Sequence, residues 1–336
     1  MMVKATMIGK GALVFLALIV SACATSPQVP KTGVPQDIQA HKIEFMSGGI
    51  SRKDQRIWGY LFLPDAPKEG KVPAVIVCHG SGGMGTYRPR VYSELLGRIG
   101  VATFFLDHFT PRGIRETGTD QSRVTGSQMV GDAFSALELL SSHPRIDPGR
   151  IGIMGFSKGA SVAYQTGLIY LNSDYRAAGF NFAFHIAVYP GCGWQPTDTS
   201  HTGAPMLFLL GEKDQGTPMG PCLEYTDRLK KAGLPVETII YGNAHHAWDA
   251  PLEFLPRFDP TQENYGACSF YWNRDGSWVD AKTGQRLTTS ESRKKAQQAC
   301  KTMGYTMGVE PKARERTFTD IVEFVKRVAL ENRNRN

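Results

Sequence analysis

Gly155, Phe156, Ser157, Lys158 and Gly159 spell GxSxG between an apolar run, Ile151 to Phe156, and a stretch with helical spacing. Strand, sharp turn and helix around such a serine make a nucleophile elbow: the backbone is strained at the serine, and side-chain-free neighbours two places away let strand and helix approach. The turn would hold the Ser157 hydroxyl clear of the sheet edge and aim the Lys158 amide, at a helix N-terminus, toward a developing oxyanion. The bland alternative is a helix-capping serine.

A hydroxyl is a poor nucleophile at neutral pH, so this chemistry needs a base and a carboxylate to orient it, following the serine in the order acid, then histidine. Asp214 comes after the apolar run Met206 to Leu210, with Glu212 as its neighbouring rival. Two histidines, His245 and His246, follow the run Val236 to Tyr241 and compete for one role. The glycine-rich segment His79, Gly80, Ser81, Gly82, Gly83 after Val72 to Cys78 should supply a second oxyanion donor from the Ser81 or Gly82 amide. It lacks the lysine of a phosphate-binding P-loop and the spaced GxGxxG of a dinucleotide site.

The GxSxG elbow, the Asp214 segment, and Tyr241 followed five residues later by His246, Ala247 and Trp248 together resemble the dienelactone hydrolase family over about Ile43 to Trp248. The resemblance implies an α/β-hydrolase fold and selects His246, giving a Ser157, Asp214 and His246 triad. The namesake enzymes of that family use cysteine at the position of Ser157. The nucleophile, base, acid and oxyanion amides together point to a small-molecule acyl substrate, an ester by default or else a lactone, cleaved through an acyl-enzyme. Acyl transfer, peptide cleavage on the same parts, and a non-catalytic binding lipoprotein are the competing functions.

These residues need a sheet to carry them. Strand-like runs at Ile43 to Met46, Ile57 to Leu63, Val72 to Cys78, Val101 to Leu106, Ile151 to Phe156, Phe184 to Tyr189, Met206 to Leu210 and Val236 to Tyr241 predict about eight strands. The first two form a hairpin and the rest are mostly parallel, because helical stretches separate them. Those helices are expected at Arg88 to Ile99, Gly126 to Ser142, Lys158 to Tyr170, Cys222 to Ala232 and Thr317 to Asn332, covering both faces. The polar segment 256–311 reads as a disulfide-containing C-terminal insertion in a domain spanning 41–336, with one helix from Ser290 to Thr302. Arg112 is a candidate to pair with a substrate carboxylate, or else with an acid such as Asp107; Phe109, Trp194 and Trp248 are candidate pocket walls. His245, His246 and Asp249 could ligate zinc, but no HExxH pattern accompanies them, so neither a metal nor a cofactor is expected.

Lys4 and Lys10 followed by the apolar run Ala12 to Val20 and then Ser21, Ala22, Cys23 read as a signal peptide over 1–22 with a lipoprotein cleavage site. Cys23 would then carry lipid and residues 23–40, rich in Pro, Ser and Thr, would tether the body to a membrane surface. Simple secretion to the periplasm is the alternative. Thirty-eight basic against 31 acidic side chains, without basic blocks, offer no nucleic-acid surface. Export implies an oxidising compartment, and five of the six cysteines lie beyond Cys23. Cys78, inside an apolar run, is expected free and buried, with Cys192 bonded to Cys222 and Cys268 to Cys300 as sequence neighbours.

Overall fold

The computed structural model describes residues 40–331 apart from 50, 51, 66, 68, 172–174 and 177. The signal peptide, Cys23 and nearly all of the tether lie outside the described residues. β1 (His41–Gly49) and β2 (Arg52–Phe62) pair antiparallel as the expected hairpin. They join β3 (Val72–Cys78), β4 (Ala102–Asp107), β5 (Ile146–Phe156), β6 (His185–Val188), β8 (Met206–Gly211) and β9 (Val236–Tyr241) in one eight-stranded sheet ordered β1-β2-β4-β3-β5-β6-β8-β9. β2 meets β4 antiparallel, and every pair beyond is parallel.

Period-two side-chain alternation divides the core. Ala74, Ile76 and Cys78 of β3 face one cluster with Met129, Phe134 and Leu137 of α2 (Gly126–Ser141). Val75 and Val77 face the other, with Tyr92 and Leu96 of α1 (Tyr87–Gly97) and Ile321 and Phe324 of the C-terminal helix. A strand buried on both faces is the reason Val72 to Cys78 reads as an unbroken apolar run instead of alternating. Thr125 and Gln128 close a capping box at the start of α2.

Two helices depart from expectation. α3 (Lys158–Gln165) stops five residues early, because at Gly167 the chain turns and Leu168 bridges His201; a Cβ on Gly167 would meet the Met206 side chain at 2.4 Å. α4 (Met219–Lys231) follows β8 as anticipated, but the last long helix, α6 (Pro311–Val325), begins six residues before Thr317. Glu310 caps it by accepting from the Ala313 amide, and Pro311 occupies the first turn, where a missing N–H costs nothing.

The segment after Trp248 holds more structure than one helix. α5 (Ser290–Cys300) is there, with β10 (Arg257–Asn264) paired to β14 (Thr302–Met307). β11 (Phe270–Trp272), β12 (Trp278–Asp280) and β13 (Arg286–Leu287) form a second small sheet with β7 (Trp194–Pro196), a strand that leaves the main body just after β6. Cys192 is bonded to Cys222 and Cys268 to Cys300, while Cys78 is free and buried. Two disulfides mark a chain that folds in an oxidising compartment outside the cytoplasm.

Candidate active site

Ser157 stands between β5 and α3 with φ +54°, a left-handed conformation unusual for a side-chain-bearing residue. Its hydroxyl makes no cap hydrogen bond to the helix, which removes the bland role of capping serine. The flanking glycines are required by close approach: a Cβ on Gly155 would lie 2.0 Å from the Gly159 carbonyl oxygen, and one on Gly159 would lie 2.3 Å from that of Cys78.

The Ser157 Oγ is 2.9 Å from His246 Nε2, and His246 Nδ1 is 2.8 Å from Asp214 Oδ2. A neutral imidazole with its proton on Nδ1 donates to the carboxylate and accepts the serine hydroxyl proton at Nε2. Asp214 Oδ1 also accepts from the Gly216 and Thr217 amides, each at 2.9 Å, and the Thr217 hydroxyl lies 2.8 Å from Oδ2. Both His246 and Asp214 are nearly buried, at 5% and 4% exposure, so these charges act in a medium poorer than water at screening them. Tyr189, itself at φ +44°, sets its ring edge-on against the imidazole at 4.9 Å.

The loop from His79 passes beside the serine, and a Cβ on Gly80 would sit 3.2 Å from the Ser157 Cβ. His79 holds that loop: its Nδ1 donates to the Gly80 carbonyl at 2.8 Å and its Nε2 accepts from the His108 amide at 3.1 Å. Burial, with His108 alongside, pushes the His79 pKa down to about 4, so the ring stays neutral and keeps both bonds. Ser81 lines the cavity and donates to Gln121 Oε1, and Lys158 opens α3, so its N–H has no partner in the helix.

A cavity of about 310 Å³ opens beside Ser157 and His246. Glu263, Tyr265, Gly266, Gln297 and Tyr305 of the insertion line it, so that segment lies over the site. Lys158 lines it too, and its ammonium donates to the Gln121 carbonyl at 2.9 Å and to Thr117 Oγ1 at 3.3 Å; burial lowers its pKa to about 8.

Of the four candidate pocket residues, only Trp194 lines the cavity. Arg112 binds Asp132 through two bonds, of 2.8 and 2.9 Å, and not Asp107, whose Oδ1 instead accepts the Phe109 and Thr110 amides. Phe109 is buried against His79, and Trp248 is fully buried with its indole N–H on Thr317, because both sit where loops tuck back onto the core. Glu212 accepts the Asn243 amide at 3.0 Å, away from His246. Asp249 is taken up by Arg88, Tyr92 and Tyr189, and among the described residues no group of histidine, cysteine and acidic side chains could hold a metal.

Sequence reading missed this last cluster. Asp249 Oδ1 accepts from Arg88 Nη2 and from the Tyr189 hydroxyl at 2.7 Å each, and Oδ2 accepts from Arg88 Nε and the Tyr92 hydroxyl at 3.0 Å each. Three residues past His246, the network ties the histidine loop to α1 and to the end of β6. An acid so close to the base is the one signal that could have pointed to it.

A strained serine at the carboxyl edge of a doubly covered parallel sheet, within reach of a histidine held by an aspartate, defines a protein of α/β-hydrolase architecture. The model of the "Dienelactone hydrolase family" matches residues 57–282, and the chain belongs to that family. The crystal structure of a dienelactone hydrolase-like promiscuous phosphotriesterase from metagenomic libraries aligns with TM-score 0.53 and 15% identity, over 86% of this chain and 98% of that one. A "Putative carboxymethylenebutenolidase" of Methylorubrum extorquens is 24% identical over 172 residues, 47% of this chain and 52% of that protein. A "Probable 2-oxo-3-(5-oxofuran-2-ylidene)propanoate lactonase" of Bradyrhizobium is 24% identical over 189 residues, 53% of this chain and 74% of that protein. The chain thus spans about half the length of the first of these relatives.

Proposed function

We propose that this protein is a serine hydrolase that cleaves ester or lactone bonds through an acyl-enzyme. The observation that carries the reading is the unbroken relay from Ser157 Oγ to His246 Nε2 at 2.9 Å and from His246 Nδ1 to Asp214 at 2.8 Å. Ser157 Oγ attacks the acyl carbon as its proton passes to His246 Nε2, and Asp214 stabilises the imidazolium that results. The amide of Lys158, with that of Ser81 or Gly82, receives the negative charge on the former carbonyl oxygen. His246 then returns the proton to the departing alkoxide. Water, deprotonated by the same nitrogen, releases the acid and regenerates the serine.

A fluorophosphonate probe tests this: it should label the wild-type chain at Ser157 and leave Ser157→Ala unlabelled. Labelling elsewhere, or none, overturns the assignment.

The same chain is proposed to be a lipoprotein anchored at Cys23 on the periplasmic side of a bacterial membrane. The Ser21, Ala22, Cys23 sequence after an apolar run supports it. Metabolic labelling with a palmitate analogue should mark Cys23 and fail in Cys23→Ser.

A further inference from the structure

The cavity beside Ser157 has polar walls that no step of the proposed reaction uses. Among the described residues, the Gln297 side-chain amide and the Tyr305 hydroxyl have no hydrogen-bond partner, although both residues line the cavity. The Gln121 amide is engaged only through Oε1, by Ser81, which leaves Nε2 unpaired. Lys158 spends two of its three N–H groups on protein oxygens. Tyr305 is the most telling of these, because the residue is only 7% exposed and its ring packs against His246 at 5.1 Å, which holds a side chain with an unpaired hydroxyl beside the histidine.

The remaining wall is aromatic. Trp194 and Tyr265 meet edge to face at 5.7 Å, and the Tyr265 hydroxyl is already committed to Glu263 at 3.0 Å, leaving its ring as apolar surface. Glu263 already accepts from the Gln121 backbone N–H, the Tyr265 hydroxyl and the Lys301 ammonium. One ammonium and one carboxylate on the same wall give it no strong preference for an anion.

Unpaired donors and acceptors around two ring surfaces suit a ligand that alternates hydroxyls with C–H faces, whereas an alkyl chain would leave each of those polar groups dry. At about 310 Å³ the space is at the small end of ligand clefts and holds a group of monosaccharide size. Resting on the serine-hydrolase reading, we propose that the substrate is a short-chain acyl ester of a sugar, typified by an O-acetylated pyranoside, which water cleaves to the free sugar hydroxyl and acetic acid. Gln121, Gln297 and Tyr305 read the sugar hydroxyls, and Trp194 with Tyr265 takes a ring face.

The test compares kcat/KM of the full chain on O-acetylated methyl glucopyranosides, ethyl acetate and p-nitrophenyl octanoate, with fluorophosphonate labelling of Ser157 followed in parallel. The acetylated glycosides should exceed ethyl acetate by about tenfold or more, and Gln297→Ala and Trp194→Ala should each lower that ratio about fivefold or more, with labelling retained as proof of a formed site. A ratio near unity, a ratio unmoved in both variants, or preference for the octanoate, with Ser157 still labelled, overturns the sugar assignment alone. Failure of the wild type to label overturns the serine reading with it.

Discussion

The backbone carbonyl of His246 accepts a 2.9 Å hydrogen bond from the amide of Gly308, beside a parallel bridge to Met307. The insertion therefore grips the histidine itself besides covering the cavity. Cys268–Cys300 closes the same segment on itself with a sequence separation of 32. Replacing both cysteines by serine should lower stability by roughly 4 kcal/mol if the whole domain unfolds as one unit. It should also reduce kcat on any ester substrate, as the His246 loop loses a support. Thermal melts with and without reductant, alongside steady-state kinetics, check this; an unchanged kcat would show that the insertion's grip on His246 has no catalytic consequence.

Ser157 is held at φ +54°. Ser157→Ala should remove about 10³-fold or more of the ester hydrolysis rate. Ser157→Gly should be equally inactive yet more stable than Ser157→Ala by about 1 kcal/mol, since glycine occupies the left-handed region without strain. Denaturant titration of the two variants decides; equal stabilities would mean the elbow stores no strain.

His246→Ala should cost far more rate than His245→Ala, because only His246 reaches both Ser157 and Asp214. The contrast should be about a hundredfold or greater in kcat/KM. The opposite ranking would exchange their roles.

Asp249 is fully buried and holds Arg88, Tyr92 and Tyr189. Asp249→Ala leaves a largely buried guanidinium without its counter-ion and should destabilise the fold by roughly 3–5 kcal/mol, read by urea unfolding. Tyr189 stands edge-on to His246, so kcat should fall more than KM rises in whatever folded fraction remains.

Burial lowers the pKa of His185 to about 3 and that of His79 to about 4. Unfolded, each titrates near 6.5, so between that value and its folded pKa the unfolded chain holds the extra proton and stability falls as pH falls. Each histidine contributes a slope of about 1.4 kcal/mol per pH unit across that window. Stability measured from pH 7 to 4.5 should decline accordingly, and His185→Gln should show a shallower decline; parallel curves would exclude a buried neutral His185.

The core sheet and the elbow were legible because both are written in local patterns. Val72 to Cys78 is buried on both faces and reads as an unbroken apolar run, and Gly155 and Gly159 announce a backbone approach that no side chain permits. The cysteine partners were legible through sequence proximity. The insertion's strands were not, since β10 is mostly polar with no buried residue, β14 is broken by Gly304, and the two pair with a register shift, so neither shows a period-two signature.

Residue type and spacing alone thus determined a serine on a strained turn, an acid and a histidine in the right order, and a sheet able to carry them. Only the folded chain decided between His245 and His246 by contact, sent Arg112 to Asp132, and buried Phe109 and Trp248 in the core. It also brought Tyr305 and Gln297 to the cavity from positions distant in sequence from Ser157. The physical reason is that a strand or a tight turn is specified by neighbours a few bonds away. A pocket wall, a salt-bridge partner or a ring against an imidazole is specified by where separate elements come to rest.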